Sequence, residues 1–187
     1  MTTWSWRLKF TKRGTPFDGA FLIKNLVFQD SRGVFEKLYC NLEMSEFGVL
    51  NQINLVTNLQ VGTIRGLHFQ FPPFEEAKLI NVLSGSIFDV IIDLRPTSST
   101  YLKRFEVILT AEENESLYIP KGFAHGYQTL SVKSQVLYLH SGHYNPEAES
   151  GLNYADPCFS IGWPLPISGM SDRDKNFEFV SSRKDLL

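Results

Sequence analysis

Apolar residues in this chain come in short runs, many alternating with polar ones, and each run is broken by Gly, Pro, Asn or Ser. That rhythm predicts strands rather than helices. The clearest unit spans residues 78–94, where Leu79-Ile80-Asn81-Val82-Leu83 and Ile87-Phe88-Asp89-Val90-Ile91-Ile92-Asp93-Leu94 flank Ser84-Gly85-Ser86. It reads as a hairpin turning at Gly85. Further strands are expected over residues 49–56, 104–109, 116–119 and 134–140, closed off by turn formers such as Pro72-Pro73, Pro96 or Pro120-Lys121-Gly122. Short strands at this spacing imply a sandwich, a jelly roll or a small barrel. Short helices are expected around residues 45–47 and 111–114, and the polar tail, residues 168–187, suits a surface or the cover of an opening. With no repeat, low-complexity tract or linker, residues 1–187 read as one all-β domain.

Composition narrows the partners. Eighteen basic against twenty acidic residues give a net charge of −2, so the totals imply no surface for nucleic acid. Residues 1–10 carry no continuous apolar stretch, and nowhere do about twenty apolar residues run together as a membrane span requires. Cys40 and Cys158 are too few for a disulfide framework and are not paired as a thiolate zinc site would be. A protein of the reducing cytoplasm, unexported and not membrane-bound, is expected.

Two of the four histidines stand in unusually polar contexts, Arg65-Gly66-Leu67-His68-Phe69-Gln70 and Gly122-Phe123-Ala124-His125-Gly126-Tyr127. In the first, strand alternation puts Arg65, Leu67 and Phe69 on one side and Gly66, His68 and Gln70 on the other, unless a bulge at Gly66 re-aims Arg65. Lone histidines are usually satisfied core or surface residues, and only their company argues otherwise. Lys78 leads the face Lys78-Ile80-Val82, which should point inward; a lysine there either snorkels from the strand end or serves a cavity. Tyr138, in Gln135-Val136-Leu137-Tyr138-Leu139-His140, reads in isolation as an ordinary aromatic strand residue.

These motifs, taken in order, resemble the dTDP-4-dehydrorhamnose 3,5-epimerase family. The resemblance runs through Asp30-Ser31-Arg32-Gly33-Val34-Phe35, Gln52-Ile53-Asn54, the two histidine motifs, Pro72-Pro73 with Lys78-Leu79, and Phe88 to Arg95. It continues through Tyr138, Glu149-Ser150-Gly151, Asp156-Pro157, Trp163-Pro164 and Ser171-Asp172-Arg173-Asp174. It implies a cupin-type jelly roll, an antiparallel β-barrel, that needs no metal and no cofactor and acts on a nucleotide sugar. It also implies roles: His68 as base, Asp174 as its orienter, Lys78 beside the C4 ketone oxygen, and Tyr138 as the acid on the opposite sugar face. Arg65 and His125 would line the sugar and diphosphate, with Gln52 and Asn54 adding neutral hydrogen bonds and His143 and Glu149 near the sugar. Arg32 and Phe35 would reach the nucleotide across a homodimer that exchanges N-terminal strands.

The sequence departs from the family pattern at Lys37, where a glutamate that bonds thymine is common, so Lys37 is expected at the base, and a 3- or 5-mono-epimerase acting on a CDP-linked or other sugar nucleotide stays open. Tyr154-Ala155-Asp156 and His143-Tyr144 depart near the sugar or lid. Two rival readings also stay open. In a metal-dependent cupin the histidines would be ligands, although His140 and His143 are spaced to opposite strand faces. A non-catalytic sugar-nucleotide binder is the other.

Overall fold

The structure is a computed structural model that describes residues 9–183, and nearly all of its regular structure is strand. In chain order the strands are β1 (Thr11–Gly14), β2 (Phe21–Lys24), β3 (Leu26–Asp30), β4 (Gly33–Lys37), β5 (Gln52–Asn58), β6 (Ile64–Gln70) and β7 (Lys78–Ser84). They continue as β8 (Ser86–Asp93), β9 (Arg104–Thr110), β10 (Glu115–Ile119), β11 (Phe123–Thr129), β12 (Ser134–His140) and β13 (Glu149–Gly151). Ser45–Phe47 forms the expected short helix, of 3₁₀ type, and a single α-helical turn, α1, spans Asp172–Lys175. The strand expected over 49–56 is present but runs later, from Gln52 to Asn58.

The strands make two antiparallel sheets, ordered β1-β2-β10-β7-β12-β5 and β13-β6-β11-β8-β9, in the jelly-roll barrel arrangement that the sequence implies, and a separate hairpin, β3-β4. Three apolar clusters hold them. Leu22, Ile80, Val82, Ile87, Ile91, Leu117, Tyr127 and Val136 meet in the barrel core. The outer face of the first sheet packs Ile23, Leu79 and Leu139 under Met44 and Phe47. The outer face of the second packs Leu67, Phe69 and Val90 under Leu152, Phe159 and Val180. Strands buried on both faces explain the continuous apolar runs.

Two sequence expectations are corrected. β7 and β8 are not a hairpin: β7 pairs with β10 and β12, β8 with β11 and β9. Both edges of β7 are taken, so β8 has nowhere to pair, and Gly85, at φ 74°, bends the chain from one sheet into the other. Residues 111–114 are a turn instead of a helix, because only four residues join β9 to β10 and Asn114 must reverse direction at φ 49°.

The register explains the site. Across β5, β12 and β7, residues sharing a face line up in layers: Gln52, His140 and Lys78; then Asn54, Tyr138 and Ile80; then Val56, Val136 and Val82. The barrel interior therefore changes from polar to apolar along its axis, and the polar end forms a cavity. On the opposite sheet His125 pairs with His68, but Tyr127 pairs with Arg65, so three steps on β6 match two on β11. This bulge brings Arg65 to the face of His68. It depends on glycine: Gly66 has φ 114°, and a Cβ there would sit 2.6 Å from the Cα of Gly126 and 2.7 Å from the His125 carbonyl oxygen.

The C-terminal segment, for which 168–187 was expected as a surface or a cover, crosses this end of the barrel as far as the described residues go. Ile64 N–H donates to the Gly169 carbonyl at 2.9 Å, and Val180 N–H to Asp156 Oδ2 at 2.6 Å. Met1–Leu8 and the last four residues, Lys184–Leu187, lie outside the described residues, and with them most of the N-terminal stretch discussed above and the end of the tail. Among the described residues no helix is long and apolar enough to cross a membrane.

Gly66→Ala should cost about 2 kcal/mol or more, since neither the backbone conformation nor the fixed atoms of β11 accommodate a side chain. Urea unfolding measures it, and a variant as stable as wild type would contradict the bulge geometry.

Candidate active site

The polar end of the barrel encloses a cavity of about 810 Å³ lined by Gln52, Asn54, Arg65, His68, Lys78, His125, Tyr138 and Glu149, and also by Glu76, His140, Tyr144 and Arg173. His68 presents from β6 with 31% of its side chain exposed, while its partner Asp174 is 6% exposed. Asp174 sits on α1, where Ser171 caps the turn by accepting from the Asp174 N–H at 3.0 Å. One carboxylate oxygen of Asp174 lies 2.9 Å from His68 Nε2, and the other accepts the Gly66 N–H at 3.1 Å. Burial pushes this carboxyl up, but the His68 bond and charge, together with the Gly66 bond, outweigh it and hold Asp174 below its ordinary value. An ionised carboxylate only accepts, so Nε2 carries the proton and the other ring nitrogen keeps a lone pair. The tautomer required of a base is thereby fixed.

Lys78 enters from the first strand of the opposite sheet's central pair, its side chain only 9% exposed. Its Nζ stands 3.5 Å from Glu76 Oε1 and 3.5 Å from the His68 carbonyl oxygen, both at the limit of hydrogen bonding. Burial pulls the ammonium down from its ordinary value, and the charges of Glu76, Glu149 and Asp89 act against that pull. With three donors and two long contacts, the ammonium retains hydrogen-bonding capacity for a ligand oxygen.

Tyr138, on β12, is ringed by aromatic neighbours: His125 edge-on at 5.8 Å, Tyr127 at 6.4 Å, and His140 stacked at 5.7 Å with planes 6° apart. Burial, with Tyr127 and Asp89 adding to it, raises its phenol well above the ordinary value, so it keeps its proton. His125 is 3% exposed and bonds Asp89 at 2.9 and 3.1 Å. Arg65 donates through Nε to Asn58 Oδ1 at 2.8 Å, which anchors the guanidinium at the cavity wall. Glu149 pairs with Arg173 at 2.8 Å. Among the described residues no three His, Cys, Asp or Glu groups are arranged to hold a metal ion.

Four residues expected at the site stand elsewhere in the chain's own structure. Arg32 and Phe35 lie on the β3-β4 hairpin, around a shallow depression of their own, with Arg32 paired to Asp30 at 2.6 Å. Lys37 bonds Glu43 at 2.6 Å and lies 4.7 Å from the centre of the Phe10 ring. His143 lines a separate groove with Pro73, Phe74 and Lys121, while His140, three residues earlier, faces the cavity. Sequence alone assigned no catalytic or substrate-binding role to Glu76, Asp89, Asn58, Tyr127, His140 or Arg173. The strand periods of Asp89 and His140 could have placed them inward with His68 and Tyr138; Glu76 and Arg173 lie in loop and helix and had no such signal.

A barrel with an imidazole–carboxylate pair on one wall, a protonated phenol on the facing wall and a buried ammonium in the same cavity has the groups for acid–base chemistry, which suits an isomerase. Residues 14–182 match the sequence pattern of dTDP-4-dehydrorhamnose 3,5-epimerase, and the chain belongs to that family. The Sinorhizobium fredii dTDP-4-dehydrorhamnose 3,5-epimerase is 37% identical over 160 residues, covering 83% of this chain and 82% of that protein. Among solved structures, the Bacillus anthracis dTDP-4-dehydrorhamnose 3,5-epimerase with TDP and PPi bound is similar at a TM-score of 0.87 and 36% identity, covering 91% of this chain and 99% of that one. The Legionella pneumophila dTDP-6-deoxy-D-glucose-3,5-epimerase in complex with dTDP-4-keto-L-rhamnose gives 0.86 and 33%, covering 92% and 93%.

If Asp174 fixes the base, Asp174→Asn should lower kcat at least about a hundredfold, because a neutral amide permits the wrong tautomer. The same substitution tests the sign of its titration. A carboxylate held below its ordinary value adds stability above that value and loses it as pH falls through the folded one. The stability gap between wild type and Asp174→Asn, measured by urea unfolding, should therefore be full at neutral pH and close in acid. A gap that widens below pH of about 4 would contradict it.

Proposed function

We propose that this enzyme inverts C3 and C5 of a dTDP-linked 4-keto-6-deoxyhexose, the epimerisation that its family name describes, as a step of deoxysugar biosynthesis. The observation that carries the reading is the placement of His68 and Tyr138 on facing sheets, with Lys78 lining the same cavity. His68 takes the proton from the carbon next to the ketone, and the electron pair moves onto the C4 oxygen as an enolate. Lys78, its side chain 9% exposed, donates to that oxygen as its charge develops. Tyr138 returns a proton to the carbon from the other face, and the electron pair re-forms the ketone. Inversion requires two groups on two faces, since one group on one face only restores the starting centre.

Arg65 suits the diphosphate through its planar fork, with His125 beside it, while Gln52, Asn54 and Glu149 supply further polar contacts to the sugar nucleotide. Lys37, the residue that raised another base as an alternative, bonds Glu43 within this chain. Arg32 and Phe35 come to the site from a second copy: the β3-β4 hairpin belongs to neither barrel sheet, and Val34 and Phe35 are 63% and 58% exposed on it. That exposed apolar pair supports a homodimer whose N-terminal strands reach into the neighbour. Both cysteines are free thiols, as suits a cytoplasmic enzyme.

Incubated in deuterated water with the dTDP-linked 4-keto sugar, the enzyme should wash deuterium into C3 and C5. His68→Asn should abolish the exchange at both carbons, a loss of at least about a hundredfold. Tyr138→Phe should slow epimerisation more than exchange, because the proton can still leave and return on one face. Equal losses would remove Tyr138 as the acid, and exchange retained by His68→Asn would move the base elsewhere.

The shared site has its own test. Arg32→Ala should raise KM, and co-expression with His68→Asn should give mixed dimers that regain activity in one site, where an intact His68 meets an intact Arg32. No recovery would place Arg32 outside the neighbour's site.

A further inference from the structure

Glu76 takes no part in the proton transfers described above, yet it occupies a pivotal place in the cavity. Its side chain is 10% exposed and its two oxygens face different partners. Oε1 lies 3.5 Å from Lys78 Nζ, and Oε2 accepts from His140 Nδ1 at 3.1 Å. With Nδ1 donating to the carboxylate, His140 Nε2 is left to accept from Asn54 Nδ2 at 3.3 Å, so both ring nitrogens are fixed. That fixed ring is the one stacked flat on Tyr138. One carboxylate thus touches the ammonium and, through one imidazole, the phenol.

We propose that Glu76 is a positioning residue of the epimerisation: its carboxylate keeps Lys78 cationic beside the developing enolate and, through His140, seats Tyr138 on the far face of the sugar. The inference rests on the reaction proposed above. Its physical basis is that a lysine buried in a barrel loses its charge unless a counter-charge is near. The titratable and charged groups of the same cavity are Arg65 and His68 from β6, His125 from β11, Tyr138 and His140 from β12, Tyr144, Glu149 from β13, and Arg173 and Asp174 from α1, together with Glu76 just before β7. The carboxylates that act on Lys78 are Glu76, Glu149 and Asp89 of β8. Asp89 is committed to His125 and Glu149 to Arg173, which leaves Glu76 as the one carboxylate within ion-pair reach of Nζ among the described residues. Glu76 itself is driven up by burial, but the His140 bond and the Lys78 charge more than offset this and keep it ionised.

The sign of the effect follows. Without the negative charge, the ammonium of Lys78 gives up its proton at lower pH, and the alkaline limb of the kcat/KM profile, which reports the free enzyme, moves down with it. Glu76→Gln keeps the shape and one acceptor oxygen, which still takes the His140 Nδ1 proton, and removes the charge, replacing the oxygen that faces Lys78 with an amide NH2. It should move the alkaline limb down by at least about one pH unit and lower kcat roughly tenfold while KM stays within about twofold. If that variant fails to fold, Glu76→Met with His140→Leu replaces both partners by apolar groups, a change that buried pairs often tolerate, and the same downward shift is expected. A folded variant of either kind whose alkaline limb stays at the wild-type pH overturns the proposal, whatever happens to its melting temperature. Deuterium wash-in by the wild type tests the reaction itself, so a failure of that reading is seen before any variant is compared.

Discussion

The inside of a β-barrel does not tolerate an uncompensated charge, and this barrel's polar end is organised around that constraint. Each of three cavity imidazoles has its own carboxylate: His68 with Asp174, His125 with Asp89, His140 with Glu76. The pairing satisfies buried polar groups and also decides which nitrogen of each ring carries a proton. Chemistry and folding therefore draw on the same bonds. The His68 pair additionally ties the C-terminal segment to the barrel, since Asp174 holds both the imidazole and the backbone of the bulge at Gly66.

Much of this was legible in the sequence. Strand rhythm gave the fold class, and β12 and the 3₁₀ turn at Ser45–Phe47 fell where the pattern put them. The inward face of Lys78, Ile80 and Val82 was readable from period two alone, and the register with β12 shows why a lysine stands there: it opens a polar layer. The bulge was foreseen as one of two options, and the pairing of Arg65 with Tyr127 selects it.

What the sequence hid was pairing. The run 78–94 looks identical whether its halves pair with each other or with other strands, because both faces of each half are buried either way. Only the placement of β10 and β12 on either side of β7 excludes the hairpin. Glu76 was hidden for a related reason: it lies outside any strand, so no period assigns it a face. Lys37 shows the converse, a residue whose family position suggests a base contact and which within this chain pairs with Glu43.

In the proposed reaction His68 and Tyr138 address opposite faces of one sugar ring, with Lys78 at the oxygen of C4. A crystal structure with an unreactive dTDP-linked sugar tests this most directly. The ring is expected between the free nitrogen of His68 and the Tyr138 hydroxyl, with the C4 substituent within hydrogen-bond reach of Lys78 Nζ. A ring that meets both His68 and Tyr138 on the same face, or lies away from Lys78, would contradict it.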